Sequence, residues 1–436
     1  MNKKIQLVLL AQVLSIGILA KVMSLVTKII MTRELGLEAM SYFSLVNPLI
    51  ILLLTISSFS LQNSIGNLIA KNPSSSAKIF KNAIKITSIL SIILIILLLI
   101  LSKFISHNLL SNPKTFPSVI ASIFVIPLTS YSSIIKGYYL GKGELKLTSF
   151  SQVFEECGRL LFIIIILYLF PNLEAENRAS IAVFSLCVGE IFQVIYMVLF
   201  HQNNQLNKIK KFFKIDTSKD NFYHEIFTIS VPMTLSRLVG SLTYFLEPII
   251  FMMILSKNTT DANELSISYG LLNSYALPLL LMPGFISVTL SNLLIPTLGK
   301  YLRNHDYNSI KRTISKIFLL CIFIGGIIST TYYFFADEIT TLIYGANYGS
   351  NIIKKYTFFF IIYYIEHPLI TSLSMFNLSK KAFNSTVISS ICRIILMFLL
   401  VGDMKIDGLC IAIISSTYVD VIINLFYLKR FLKRIN

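Results

Sequence analysis

The chain has 436 residues, of which 55% are hydrophobic and only 14% charged, and its mean hydropathy is +0.73. A water-soluble protein of that length needs more charge to cover its surface, so the composition excludes a soluble globular protein. The formal net charge of +17 first suggests nucleic acid, but the placement of the lysines and arginines assigns it to membrane topology, and no nucleic-acid partner is expected.

A bilayer core takes about 20 apolar residues of helix, because lipid cannot satisfy exposed backbone groups. Apolar runs of that length predict about twelve spans, at 5–31, 41–68, 80–106, 117–140, 150–170, 178–200, 226–255, 266–297, 314–336, 352–377, 384–402 and 408–428. The first opens with Lys3 and Lys4 like a secretory signal, yet its apolar run continues to Met31 without a small-residue cleavage site. An uncleaved helix is expected there.

Loop charge sets the orientation. With the N-terminus inside, Lys71, Lys78, Lys81 and Lys85, then Lys136, Lys142 and Lys146, the lysines from Lys208 to Lys219, the basic residues from Lys300 to Lys316, Lys380 with Lys381, and Lys429 to Arg434 all fall on the cytoplasmic side. The opposite side holds the scattered Arg33, Lys103, Lys114, Arg178, Lys257, Lys354, Lys355 and Lys405. Lysine and arginine are retained in the cytoplasm, so both termini are expected there.

An internal repeat divides the chain. Tyr42 to Pro48 at the start of the second span is echoed by Tyr269 to Asn273 at the start of the eighth. Gly66 to Lys71 is echoed by Pro296 to Lys300, and Leu109 to Asn112 by Leu342 to Gly345. The expected organisation is an N-terminal six-helix lobe at 1–205, a basic cytoplasmic linker at 206–221 and a C-terminal six-helix lobe at 222–436. An even number of spans per lobe makes the repeat parallel, as in several transporter folds. The expected fold class is thus an all-α polytopic membrane protein of two parallel repeats around a central cavity.

Charges inside the spans carry the functional reading, since each costs at least about 2.5–3.5 kcal/mol at mid-bilayer unless paired or wetted. The first span holds Lys21 and Lys28 but no acid, and the seventh holds Arg237 and Glu247. Lys28 and Glu247 fall at similar depth on repeat-related helices, which suggests a breakable pair, a static pair, or a lysine reaching outward to the interface. Glu155 and Arg159 are four apart and expected to neutralise each other, leaving Glu156 without a local partner. Glu190, Glu366 beside His367, Arg393, and Asp420 with Asn424 add one polar site to each of four further spans. His367 precedes Pro368 at a kink and reads as structural. Pro127, Pro232, Pro248, Pro278, Pro283 and Pro368 interrupt spans, the eighth most heavily. The five cysteines lie in apolar stretches and form no CxxC pair, so they read as small core residues with no metal site. No Walker, HExxH or Gly-x-Ser-x-Gly sequence is present, and the outward loops are too short for a catalytic domain.

Several segments together resemble one superfamily: Arg33 to Gly36 with Asn47-Pro48; Lys136 to Gly141 with Ser149 to Arg159; Val231 to Ser241; Tyr269 to Asn273 through Pro283 to Pro296; and Leu342 to Gly345. The chain resembles the polysaccharide flippase group of the multidrug/oligosaccharidyl-lipid/polysaccharide exporters, most of all the stage V sporulation protein B branch, related to the lipid II flippases. That resemblance implies a transporter rather than an enzyme, flipping undecaprenyl-pyrophosphate-linked glycans across the bacterial cytoplasmic membrane. The branch usually has fourteen helices against the twelve found here. A pyrophosphate needs cations, so the expected substrate-binding set is Lys21, Lys28, Arg33 and Arg237 with the polar Asn47 and Asn273. Glu155, Glu156, Arg159, Glu190, Glu247, Glu366, Arg393 and Asp420 are the expected gating or ion-coupling set. No cofactor is expected; Na+, H+ or the membrane potential would drive transport. The expected partners are the lipid-linked glycan, membrane lipids and cell-wall synthesis enzymes, with the protein itself a monomer. The competing function is a cation-coupled multidrug exporter of the MATE type, which would place an acid in an early helix where this chain has only lysines.

Overall fold

The computed structural model describes residues 3–200, 222–256 and 261–434; the linker expected at 206–221 lies outside them. Among the described residues every regular element is helical. The helices are α1 (Lys3–Ser58), α2 (Leu61–Lys71), α3 (Ser76–Phe104), α4 (Phe116–Gly141), α5 (Leu145–Leu169), α6 (Ala175–Leu199) and α7 (Tyr223–Leu255), followed by α8 (Ala262–Gly270), α9 (Leu277–Leu281), α10 (Gly284–Arg303), α11 (Tyr307–Tyr344), α12 (Ser350–Tyr356), α13 (Glu366–Met375) and α14 (Ser379–Arg434).

Eight of the described helical stretches are long and apolar enough to cross a bilayer, or nine if a bent pair counts as one. The chain is a multi-pass membrane protein. Its two longest stretches run 57 and 55 residues, or about 80 Å at 1.5 Å per residue, more than twice a bilayer core. Each is broken where the sequence places a gap between spans. In α1 the break is Gly36, at φ 81 and ψ 171, a backbone state that a side chain would strain. In α14 it is Lys405, at φ 50 and ψ −122. On α3, Ile89, Ile92, Ile96 and Ile100 are all exposed, which suits a helix whose outer face meets lipid.

The chain divides into two compact units, Met1–Phe245 and Leu246–Asn436, so the division falls inside α7. In the first unit α5 packs on α6 and α1, while α4 packs on α6, α2 and α3. The α2–α4 crossing is set by glycine. A Cβ at Gly137 would lie 2.6 Å from the Gln62 carbonyl oxygen, and one at Gly141 would lie 2.8 Å from that of Gly66. Small residues one turn apart let two backbones approach, as in membrane helix pairs generally. Around the crossing, Leu61, Ile65, Ile69, Ile79, Ala83 and Ile134 are buried together. Just before α2 the chain breaks at Phe59 and Ser60, both left-handed, a state that costs a non-glycine residue roughly 1–2 kcal/mol. The break is held from α7: Thr234 donates to Ser60 Oγ at 3.2 Å and Ser230 to Ser64 Oγ at 2.7 Å. The Phe59 ring also meets the edge of Phe227 at 5.5 Å.

In the second unit the span expected at 266–297 is not one helix. It runs as α8, a π-helical segment Leu271–Ala276, then α9 and α10. Pro278 and Pro283 lack the N–H needed to continue the ladder. Two tyrosines from elsewhere take up carbonyls at these irregularities. Tyr344 donates to the Tyr275 carbonyl at 2.9 Å and Tyr364 to the Leu280 carbonyl at 2.8 Å.

The α2–α4 crossing gives a direct test. Gly137→Ala pushes a methyl group against backbone rather than against a movable side chain. The expected cost is about 1–3 kcal/mol, read as a lower thermal midpoint of the detergent-solubilised protein. An unchanged midpoint would show that the two helices do not touch at this position.

Candidate functional site

The candidate site of the first unit is built on α5, which brings Glu155, Glu156 and Arg159 into the bundle. One helical step rotates the chain by about 100°, so the two adjacent glutamates face different neighbours. Glu155 faces α4 and α6. There Lys136 Nζ lies 3.7 Å from Glu155 and 3.8 Å from Glu190. Gln193 donates to Glu155 at 2.8 Å and accepts from Ser132 at 2.9 Å. Lys136 is only 14% exposed, so these groups form a compact polar cluster inside the helix bundle.

Glu156 is buried. Its carboxylate oxygens sit 3.3 and 3.4 Å from Arg159 Nη1. This corrects the expected Glu155–Arg159 pair: both spacings bring side chains together on a helix, but Lys136 and Gln193 claim Glu155 from neighbouring helices. The aliphatic stem of Arg159 lies across Gly189 of α6, where a Cβ would come within 2.5 Å of Arg159 Cγ. Thr27 of α1 donates to the Glu156 carbonyl at 3.4 Å. The next residue, Lys28, is half-buried and close enough to Arg159 for their charges to repel. Among the described residues of the first unit no carboxylate lies within ion-pair distance of Lys28.

The other expected binding residues of this unit are not gathered there. Lys21, Arg33 and Arg237 are exposed, and Asn47 is half-buried. Near Gly36, an open notch of about 320 Å³ is lined by Leu35, Leu37, Glu38, Leu173 and Arg178; its lining includes none of the α5 cluster.

The second unit holds its own buried polar set. Glu247 is fully buried, and Arg393 Nη2 approaches its Oε1 at 3.0 Å, though off the line of a well-formed hydrogen bond. Within the second unit the partner of Glu247 is therefore Arg393. Asp420 accepts from Ser385 at 2.8 Å and from Asn424 at 3.0 Å. Glu366 lies within Coulombic range of both Asp420 and Arg393. Beside it, His367 packs edge-on to Tyr363 with ring centroids 6.2 Å apart. Asn273 falls in the π-helical segment, and its buried amide nitrogen has no hydrogen-bond partner among the described residues. The described residues gather no group of three or more His, Cys, Asp or Glu side chains able to hold a metal ion.

Sequence reasoning missed Lys136, Gln193 and Ser132. Lys136 sits near the end of α4 and reads as a loop charge. The available signal was Ser132 one turn earlier, which places two polar residues on one face of an otherwise apolar helix.

The long apolar helices define an all-helical, multi-pass membrane protein. The chain belongs to the polysaccharide biosynthesis protein family, whose pattern matches residues 10–302. It is 26% identical over 409 residues to stage V sporulation protein B of Bacillus subtilis, covering 92% of this chain and 79% of the relative. Among solved structures, the lipid II flippase MurJ in an inward closed conformation superposes with a TM-score of 0.73 at 15% identity, over 97% of this chain and 89% of the other. An inward-facing MATE-family multidrug transporter superposes with a TM-score of 0.67 at 13% identity, over 98% of both chains. At these identities the two structures establish a shared fold.

The Glu247–Arg393 contact makes a quantitative prediction. Arg393→Ala leaves a carboxylate buried without a counter-charge, with an expected loss of about 3–5 kcal/mol. Adding Glu247→Met to Arg393→Met should recover most of it. Unfolding midpoints of the three variants check the cycle, and an undisturbed Arg393→Ala protein would sink the pairing.

Proposed function

We propose that the protein is a flippase for undecaprenyl-pyrophosphate-linked oligosaccharides, lipid II or a related cell-wall or polysaccharide intermediate, acting by alternating access in the bacterial cytoplasmic membrane. The observation that carries this reading is Lys28. It lies within an apolar membrane helix, half-buried, beside Arg159 and without a carboxylate partner among the described residues of its own unit. A cation kept there at several kcal/mol needs an anion that comes and goes. A pyrophosphate supplies one, and it is bound more strongly by cations in a low-dielectric setting than in water. Membership of a polysaccharide biosynthesis family and likeness to a stage V sporulation protein and a lipid II flippase support the same substrate class. The bias of loop lysines supports twelve spans with both termini cytoplasmic.

The second unit suits a coupling role in this reading. Glu247, Glu366 and Asp420 outnumber Arg393, and the excess of acid there would admit Na+ or H+. That excess also favours a second reading, a cation-coupled multidrug exporter on the same fold.

Depletion of the protein separates the two. Accumulation of a lipid-linked glycan in the inner leaflet supports the flippase, while unchanged lipid intermediates with increased dye retention would replace it by the exporter. In reconstituted vesicles, Lys28→Ala is expected to lower flipping of a pyrophosphate-linked glycolipid at least about tenfold, or 1.4 kcal/mol, with normal expression. Full activity of the Lys21→Ala/Lys28→Ala pair would remove the cationic site.

A further inference from the structure

The Glu156–Arg159 pair has an unusual construction for a buried ion pair. Both carboxylate oxygens straddle a single guanidinium nitrogen, at 3.3 and 3.4 Å, where a charge-assisted bond typically reaches about 2.7–2.9 Å and a fork-to-fork pair uses two nitrogens. Arg159 Nε is buried and has no partner among the described residues. The arginine is therefore only partly satisfied by its own glutamate. It is also not free to leave, because its stem is seated over Gly189. Glu155 is held by Lys136 and Gln193, so it does not take over as a counter-ion. By formal charge Lys136, Glu155 and Glu190 carry one excess negative charge and Lys28, Arg159 and Glu156 one excess positive charge, with Glu190 also within Coulombic range of Arg159.

Resting on the flippase reading above, we propose that Glu156 is an internal stand-in for the second phosphate of the substrate, and that it makes the site selective for diphosphate-linked over monophosphate-linked headgroups. Outside the Glu156–Arg159 pair the site offers a ligand one further cation, Lys28. A sugar joined to lipid through a single phosphodiester carries one negative charge, which Lys28 alone neutralises, and such a headgroup gains nothing by displacing Glu156. A sugar joined through a diphosphate carries a charge on each phosphorus. Its second phosphate presents oxygens that can span two guanidinium nitrogens, including the unpartnered Nε, and so outcompetes the loosely held carboxylate. Glu156 acts through Arg159 and is a positioning residue. Its loss should weaken discrimination rather than binding itself.

The test uses the full chain in lipid nanodiscs and two probes, undecaprenyl diphosphate N-acetylglucosamine and undecaprenyl monophosphate N-acetylglucosamine, with undecaprenol as the uncharged control. The wild-type protein is expected to favour the diphosphate by about tenfold or more. Glu156→Gln keeps the side-chain shape and should tighten monophosphate binding about fivefold, bringing the ratio towards unity. Glu156→Asp should restore the wild-type ratio, which a merely structural role would not do selectively. Arg159→Gln should weaken the diphosphate about tenfold and leave the monophosphate unchanged. A Glu156→Gln protein with the wild-type ratio, or an Arg159→Gln protein that still binds the diphosphate normally, overturns the inference while leaving the flippase reading intact. Wild-type protein that binds neither charged lipid better than undecaprenol overturns the parent reading and the inference with it.

Discussion

A charged side chain in hydrocarbon persists only against a partner, against water or at a working site, and this constraint organises the first unit around α5. Three charged residues within five positions of that helix, Glu155, Glu156 and Arg159, are too costly to face lipid. They are tolerated because α1, α4 and α6 enclose them with Thr27, Lys136, Gln193 and Glu190. Gly189 is explained by the same demand, since α6 has to come close enough for Arg159 to lie across it. The glycines at the α2–α4 crossing then let the remaining helices close around the cluster.

The second unit meets the constraint differently. Its breaks lie in the backbone as much as in the side chains, and polar groups from neighbouring helices repair them. Tyr344 and Tyr364 take up carbonyls of the π-helical segment and of α9, as membrane helices generally require when their ladder is interrupted. The Asn273 amide stays unsatisfied among the described residues. A π-helical turn with a buried, unpaired polar group often marks a functional position.

Much of this architecture was legible in the sequence. Apolar runs located the long helical stretches but not the breaks within the span expected at 266–297, while the breaks at Gly36 and Lys405 fall in gaps that composition alone had opened. The acid, base and amide residues of the spans could also be named, because hydrocarbon makes each of them conspicuous. Their partners could not. On one helix, Arg159 reaches either Glu155 or Glu156 with similar ease, and only Lys136 and Gln193 on other helices decide between them. Depth along repeat-related helices likewise suggested Lys28 for Glu247, whereas the packing within the second unit supplies Arg393. The tyrosine caps were hidden for the same reason: Tyr344 sat inside the Leu342 to Gly345 repeat echo, with nothing local to show that its hydroxyl serves the Tyr275 carbonyl.

The choice of cations at the α1–α5 contact follows from their chemistry. Arginine presents a rigid, planar fork and is best used where its stem can be fixed, while lysine is a compact charge on a mobile stem. Arg159 is fixed by Gly189 and held loosely by Glu156; Lys28 is half-buried and meets no acid among the described residues of its unit. A site made of two fixed arginines would bind an anion tightly and release it slowly. Two mobile lysines would bind without selecting geometry. In the flippase reading, one of each would give a template that recognises shape and a second charge that follows the ligand as it departs, a compromise between capture and release.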